Sequence, residues 1–225
     1  MKLISCGNAK KYSVANTETD ERSVLRGKRI VFLGSSVTYG TAADGESFVD
    51  FLEKKDGVIP VKEAVSGTTL VDNGKTSYIS RMKNIDKSIK ADAFICQLST
   101  NDAAQKKPVG EISSSFDEES FDTSTVSGAI EYIISYVKRT WDCPVIFYTG
   151  TVFESERYAV LVKTLMKIRD KWDIGVIDLW NNEMNNIEPS LYKLYMSDGV
   201  HPTKAGYREW WLPEFEKYLS EIFKL

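Results

Sequence analysis

The sequence predicts an α/β fold in three layers, with a five-stranded parallel sheet held between two helical layers. Two observations carry this expectation. Five short apolar runs punctuate the chain, and between them apolar residues recur at helical spacing. Strands that alternate with helices pair in parallel through right-handed crossovers, and helices then cover both faces of the sheet.

The first run is Arg29 to Leu33 (R-I-V-F-L), which ends in Gly34 and has the continuous apolar character of a strand buried on both faces. Comparable runs are Val58 to Val65, Ala93 to Leu98, Val145 to Thr149 and Gly175 to Leu179. Phe48, Phe51 and Leu52 lie at helical spacing after Asp44. Ile79, Met82, Ile85 and Ile89 mark a second helical face. Val126, Ala129, Ile130, Ile133 and Val137 form a third behind a Thr123/Ser124 cap, and Tyr158, Leu161, Val162, Leu165 and Trp172 a fourth. A last helical region follows Thr203, and Pro213 is expected to divide it, because proline suits a first turn and not an interior. Residues 7–28 are polar and aperiodic and read as an extended or loose arm. Residues 1–28 are therefore taken as a lead-in and 29–225 as one domain. Ala103 to Asp122 is the one long irregular stretch, acidic and serine-rich from Glu111.

At 225 residues the chain suits one α/β domain better than two, and 42% hydrophobic with 27% charged residues is an ordinary globular composition. A net charge of -3, with Lys and Arg interspersed among Asp and Glu, offers no basic face for nucleic acid. Three cysteines make no disulfide framework. Cys96 and Cys143 sit in or beside apolar runs and read as core, which favours a reducing, cytoplasmic setting. No stretch is long and apolar enough for a membrane span. Leu3-Ile4-Ser5-Cys6 resembles a lipoprotein processing site, but the apolar segment before it is too short for a signal peptide.

In a parallel sheet, ligands bind beyond the carboxyl ends of the strands, which directs attention to Gly34 to Gly40, Ser66 to Leu70, Ser99 to Asp102, Gly150 to Phe153 and the stretch from Trp180. The first holds Gly34-Ser35-Ser36-Val37-Thr38-Tyr39-Gly40, where a serine between a strand and a helix exposes its hydroxyl, although serines also simply cap helices. Gly67 lets backbone approach a ligand, or merely turns the chain. Asn101 can donate to a developing oxyanion, though Asn and Asp also form turns. The most specific segment is Asp198-Gly199-Val200-His201-Pro202-Thr203. It holds the chain's only histidine, with a carboxylate three residues earlier that can orient the imidazole.

Gly34-Ser35-Ser36-Val37-Thr38, Gly67, Ser99-Thr100-Asn101-Asp102 and Asp198-x-x-His201 occur in the order and approximate spacing of the four blocks of the SGNH/GDSL hydrolase superfamily, which the chain resembles from Arg29 onward. The resemblance implies a flavodoxin-like sheet topology and a serine esterase or acylhydrolase. Ser36 would be its nucleophile, His201 its base and Asp198 the partner of the base. The Ser36 N–H, the Gly67 N–H and the Asn101 side chain would form its oxyanion hole. The family's members act on lipids, thioesters and acetylated sugars or polysaccharides, which the motifs do not separate; the substrate expected here is an ester of a small or carbohydrate-linked acyl group, and no cofactor or metal is expected. Two departures stand out: Ser35 replaces the usual aspartate, which concerns loop geometry, and Ser99 replaces the usual glycine, which could tighten the approach to the site. The segments Ala103 to Asp122 and Asn181 to Ser197 are expected to shape the pocket, with Tyr192 and Tyr195 either stacking on a sugar or packing internally.

Competing chemistry finds little support. There is no G-x-S-x-G elbow, no Walker A or G-x-G-x-x-G sequence and no zinc-ligand set, and Ser80-x-x-Lys83 and Ser135-x-x-Lys138 fall on helical stripes. An acyltransferase with the same triad and a non-catalytic flavodoxin-like binding module stay open. The oligomeric state is not legible.

Overall fold

A computed structural model describes residues 6–224. Leu3, Ile4 and Ser5 of the lipoprotein-like stretch lie outside the described residues, and Cys6 is exposed. Five strands, β1 (Arg29–Gly34), β2 (Ile59–Ala64), β3 (Ala93–Gln97), β4 (Val145–Tyr148) and β5 (Gly175–Ile177), pair in parallel in the order β2-β1-β3-β4-β5. The expected fold is therefore the observed one, and the order is the flavodoxin-like order with its switch point between β1 and β3.

Two separate cores explain why the central strands read as unbroken apolar runs. Val31, Leu33, Phe94, Cys96, Val145 and Phe147 face α3 (Tyr78–Met82), α5 (Val126–Trp141) and α6 (Glu156–Trp172). Ile30, Phe32, Ile95, Ile146 and Tyr148 face α2 (Phe48–Phe51) and α8 (Leu212–Phe223). Successive residues point to opposite faces, so a central strand needs an apolar residue at every position. On the second face Phe48 stacks on Phe215 at a centroid distance of 4.0 Å and meets Tyr148 edge-on, which fastens α8 to the sheet. The run Val58 to Val65 is different: β2 lies at the edge, with Ile59 exposed and Pro60 to Ala64 only partly buried.

Local chemistry sets the helix ends. Thr125, and not Thr123 or Ser124, caps α5 by accepting from Gly128 N–H, while Asp122 is spent on a turn with Ser124. The stripe Ile79 to Ile89 yields only a short α3, because Asp86 accepts from the Ser88 N–H and hydroxyl and closes a turn that competes with helix. The region after Thr203 continues through wide π-type turns at Gly206–Trp211 into α8, with Pro213 in the first turn of α8, where no N–H partner is needed.

The segment 6–28 is neither extended nor loose. It forms three short 3₁₀ turns, buries Ser13, Thr17 and Leu25, and hydrogen-bonds to residues far along the chain. The stretch 103–122 is likewise pinned. Lys171 Nζ donates to Ser113 O (2.8 Å), Ser115 O (2.6 Å) and Glu131 Oε1 (2.5 Å), and it lies 4.8 Å from the Phe116 ring centroid. Glu131 is fully buried and also accepts from Ser113 N–H and Trp172 Nε1.

Before the amino end of β2, burial pushes the Glu216 carboxyl up to about 7; the ammonium of Lys55, 2.6 Å away, opposes the rise and nearby Asp56 adds to it. A carboxyl raised in the folded state stabilises folding most below its unfolded value, and that contribution fades as pH climbs through about 7. Discounted for solvent screening, the change should be about 1 kcal/mol. Urea midpoints at pH 5 and pH 8, compared between wild type and Glu216→Gln, should show the wild type gaining on acidification relative to the variant. An equal response of the two proteins would refute the assignment.

Candidate active site

The loops after β1 and β3 leave the sheet at its switch point, and the residues singled out from the sequence gather there. β1 ends at Gly34, and Ser36 opens the short helix α1 (Ser36–Tyr39), which Gly40 closes at φ 88°. Gly34 is required by contact: a Cβ there would fall 1.7 Å from Thr38 Oγ1 and 2.8 Å from Gln97 Oε1. Gln97, the last residue of β3, holds this turn from below. Its Oε1 accepts from Ser35 N–H (2.9 Å) and Thr38 Oγ1 (2.8 Å), and more weakly from Ser35 Oγ (3.3 Å). Tyr148 OH lies 2.6 Å from Thr38 Oγ1, and all four side chains are buried. Ser35 therefore stands in a neutral network, with an amide oxygen supplying the acceptor.

Across the cleft, Met196 and Pro202 pair as an antiparallel bridge and Ser197 N–H donates to His201 O, closing a loop that carries the dyad. Asp198 Oδ1 accepts from the Val200 and His201 N–H groups, each at 2.8 Å, and Oδ2 lies 2.8 Å from His201 Nδ1. Partial burial raises the Asp198 carboxyl, but the Val200 N–H and the His201 contacts outweigh it and hold it below the usual carboxylate range. A carboxylate at Nδ1 assigns the proton to that nitrogen and leaves Nε2 as the acceptor. His201 Nε2 sits 2.8 Å from Ser36 Oγ. Side chains from opposite ends of the chain, Ser36, His201 and Asp198, thus form one continuous hydrogen-bonded line.

Asn101 lies in α4 (Thr100–Ala104), capped by Ser99 Oγ, which accepts from the Asn101 and Asp102 N–H groups. Ser99 is fully buried in this task and does not line the cleft. Asn101 Nδ2 donates to Thr68 O at 2.9 Å, which ties α4 to the loop of Gly67 and leaves its second N–H available. Gly67 adopts φ 81°. Asp102 is an inward anchor: its oxygens accept from Leu70 N–H (2.8 Å) and Val71 N–H (3.2 Å), and burial raises its carboxyl despite those bonds and the one from Ser99.

A half-open groove of about 370 Å³ runs from Asn101 and His201 along Ala103, Ala104, Phe153 and Val200, with Glu154 and Ser155 at its rim. Phe153 is backed by Tyr158 and Trp180 at centroid distances of 5.0 and 5.5 Å. The wall after β4 thus takes the part expected of two other segments. Of the stretch 103–122 only its first two residues reach the groove. Tyr192 and Tyr195 pack on Trp210, at 6.4 and 5.8 Å. Several supporting residues had escaped notice in the sequence. Besides Gln97, buried Arg81 donates to Gly34 O (2.8 Å), Glu63 O (2.9 Å) and Thr68 Oγ1 (3.0 Å), joining the ends of β1 and β2. Lys204 bridges Asp44 and Glu46. Among the described residues no group of three or more His, Cys, Asp or Glu side chains is placed to hold a metal, and no helix is long and apolar enough to cross a membrane.

The family model for GDSL-like lipase/acylhydrolase matches residues 30–211. No curated protein matches the chain in sequence. Among solved structures, a protein from Lactobacillus plantarum superposes with a TM-score of 0.73 at 18% identity, over 87% of this chain and 98% of its own. A member of the lipolytic G-D-S-L family from Veillonella parvula gives 0.60 at 18%, over 88% and 99%. A family two carbohydrate esterase from Clostridium thermocellum, in complex with cellohexaose, gives 0.57 at 17%, over 86% and 65%. At these identities the likeness is one of fold.

Proposed function

This chain belongs to the GDSL-like lipase/acylhydrolase family, and from that premise we propose that it is a serine esterase that removes a small acyl group from a carbohydrate or another small polar alcohol. The observation that carries the proposal is the 2.8 Å contact between Ser36 Oγ and His201 Nε2, with Asp198 on the far side of the ring.

As the Ser36 oxygen attacks the ester carbonyl, His201 Nε2 takes its proton. Asp198 keeps the ring in the required tautomer and balances the imidazolium. The carbonyl oxygen, now negative, is met by the Ser36 N–H at the start of α1, the Gly67 N–H and the free N–H of Asn101 Nδ2. His201 returns the proton to the departing alcohol oxygen. Water, deprotonated by the same nitrogen, then cleaves the acyl-enzyme and restores Ser36. A half-open groove of about 370 Å³, with Ala103, Ala104 and Phe153 in its lining, supports a compact acyl group over a long chain. The carboxylates of Glu154 and Asp198 beside it disfavour an anionic substrate. The likeness to a carbohydrate esterase fold is consistent with a sugar as the alcohol.

A panel of p-nitrophenyl esters from acetyl to palmitoyl, with acetylated sugars and an added acceptor alcohol, tests the reading. Turnover falling steeply beyond butyryl, with free acid as product, is expected. A preference for long chains would reject the small-acyl assignment, and an acylated acceptor would indicate transfer. Failure of a fluorophosphonate to label Ser36 would leave only ligand binding. Asn101→Ala should lower kcat by about 10²- to 10³-fold, the usual cost of one oxyanion donor. Because the same side chain also bonds Thr68 O, unfolding should be followed alongside, and near-full turnover in a folded variant would remove Asn101 from the oxyanion hole.

A further inference from the structure

Nucleophile and base are held by separate parts of the chain, and the His201 side has the weaker footing. The Asp198 side chain is 57% exposed, and its hydrogen bonds stay within its own loop. What registers that loop against Ser36 lies on either side of it. Tyr207 OH donates to Val37 O at 2.7 Å, one link between the two halves. Lys204 Nζ, which bridges Asp44 and Glu46, is another, and a further link comes from the N-terminal segment. Asn8 Nδ2 donates to Ala42 O at 2.7 Å, and Asn8 Oδ1 accepts from Lys204 N–H at 2.9 Å. Ala42 follows the helix of Ser36, and Lys204 lies just beyond His201.

Surrounding contacts seat this carboxamide. Gly7 packs so closely that a Cβ would lie 1.9 Å from Leu194 O and 2.4 Å from Thr203 Oγ1. Val14 N–H donates to Glu46 Oε2 at 2.6 Å, while Glu46 Oε1 receives Lys204 Nζ at 3.2 Å. Arg208 donates to Lys11 O at 2.8 Å. The strap therefore touches the nucleophile side at Ala42 and Glu46 and the base side at Thr203, Lys204 and Arg208. At Asn8, one donor and one acceptor on a single planar group meet both sides at once, a combination that neither aspartate nor alanine provides.

We propose that Asn8 is a positioning residue for the base, setting the distance between Ser36 Oγ and His201 Nε2 by tying Ala42 to Lys204. The role rests on the hydrolase reading above. A base displaced by a fraction of an ångström slows proton transfer without altering the groove, so the loss should fall on kcat and spare KM.

The test uses the full chain with Asn8→Ala and Asn8→Asp. It reads p-nitrophenyl acetate kinetics, the rate of fluorophosphonate labelling at Ser36, and thermal unfolding. For Asn8→Ala, kcat and the labelling rate should fall together by about 10-fold, with KM within about twofold of wild type. Asn8→Asp keeps the acceptor for Lys204 but loses the donor to Ala42, and a similar loss is expected; it also serves if the alanine variant unfolds at the assay temperature. Wild-type kcat and labelling in either folded variant would overturn the proposal, as would a loss confined to thermal stability. Absence of labelling in the wild type would instead end the hydrolase reading, and this role with it.

Discussion

Ser36→Ala should reduce kcat on an activated ester by at least about 10⁴-fold, with an unfolding midpoint close to that of wild type. In serine hydrolases the nucleophile and its base act as one unit, so removing either forfeits nearly all of the covalent route. His201→Ala should match it, and the double variant should be little worse than either single one. This non-additivity separates a shared relay from two independent contributions. The hydroxyl of Ser36 bonds the imidazole, and its removal strips little apolar burial from the core, which keeps the expected stability change small. Kinetics and thermal unfolding of the three variants check the result. Residual activity near wild type in Ser36→Ala would refute the serine mechanism, and additive losses would refute the shared relay.

The largest effect on stability should come from Lys171→Met. Glu131 is fully buried, and its carboxylate is matched by Lys171 Nζ together with Trp172 Nε1 and Ser113 N–H. Removing the cation leaves a buried anion uncompensated, a change that typically costs about 3 to 5 kcal/mol. Glu131→Gln combined with Lys171→Met removes both charges and should recover most of the loss. Because Lys171 also gathers Ser113 O and Ser115 O, the single variant should speed amide exchange across residues 111–121. Urea unfolding and hydrogen exchange provide the check. A Lys171→Met protein as stable as wild type would show that the pair contributes nothing net.

What could be read from the sequence, and what could not, divides by range. Ser36, Gly67, Asn101, Asp198 and His201 could be singled out because four short blocks occur together in one family's order, although Ser36, Gly67 and Asn101 taken singly read equally well as cap or turn residues. The central strands β1, β3 and β4 were legible because burial on both faces writes itself as a continuous apolar run, as in Ile30 to Leu33, whereas the edge strand β2 carries Lys62 and Glu63 and is only partly buried. Gln97 looked like one polar residue at the end of such a run. Its partners Ser35 and Thr38 lie far away in sequence, and only the pairing of β1 with β3 brings them together. Arg81 and Lys204 are similar, since a charged residue in a helical region reads as surface until folding buries it, Arg81 against the ends of β1 and β2 and Lys204 against Asp44 and Glu46. The segment 6–17 misled for the opposite reason. Its polar, aperiodic composition suggested a free arm, yet its polar groups are the ones that meet partners near Ala42 and Lys204. Glu131 was hidden inside an apolar helical stripe, and with it the anchor that turns 111–121 from a free loop into a docked one.

The Gln97 amide beneath the Ser36 turn has one more effect. Ser35, Thr38, Gln97 and Tyr148 contribute no carboxylate and no amine, and burial moves the Tyr148 phenol still further from ionising. The cradle of Ser36 therefore keeps the same charge in mild acid and mild alkali. Any response of the site to acidity would therefore enter through other groups, such as the half-exposed Asp198, whose carboxyl is lowered, and the buried Asp102, whose carboxyl is raised.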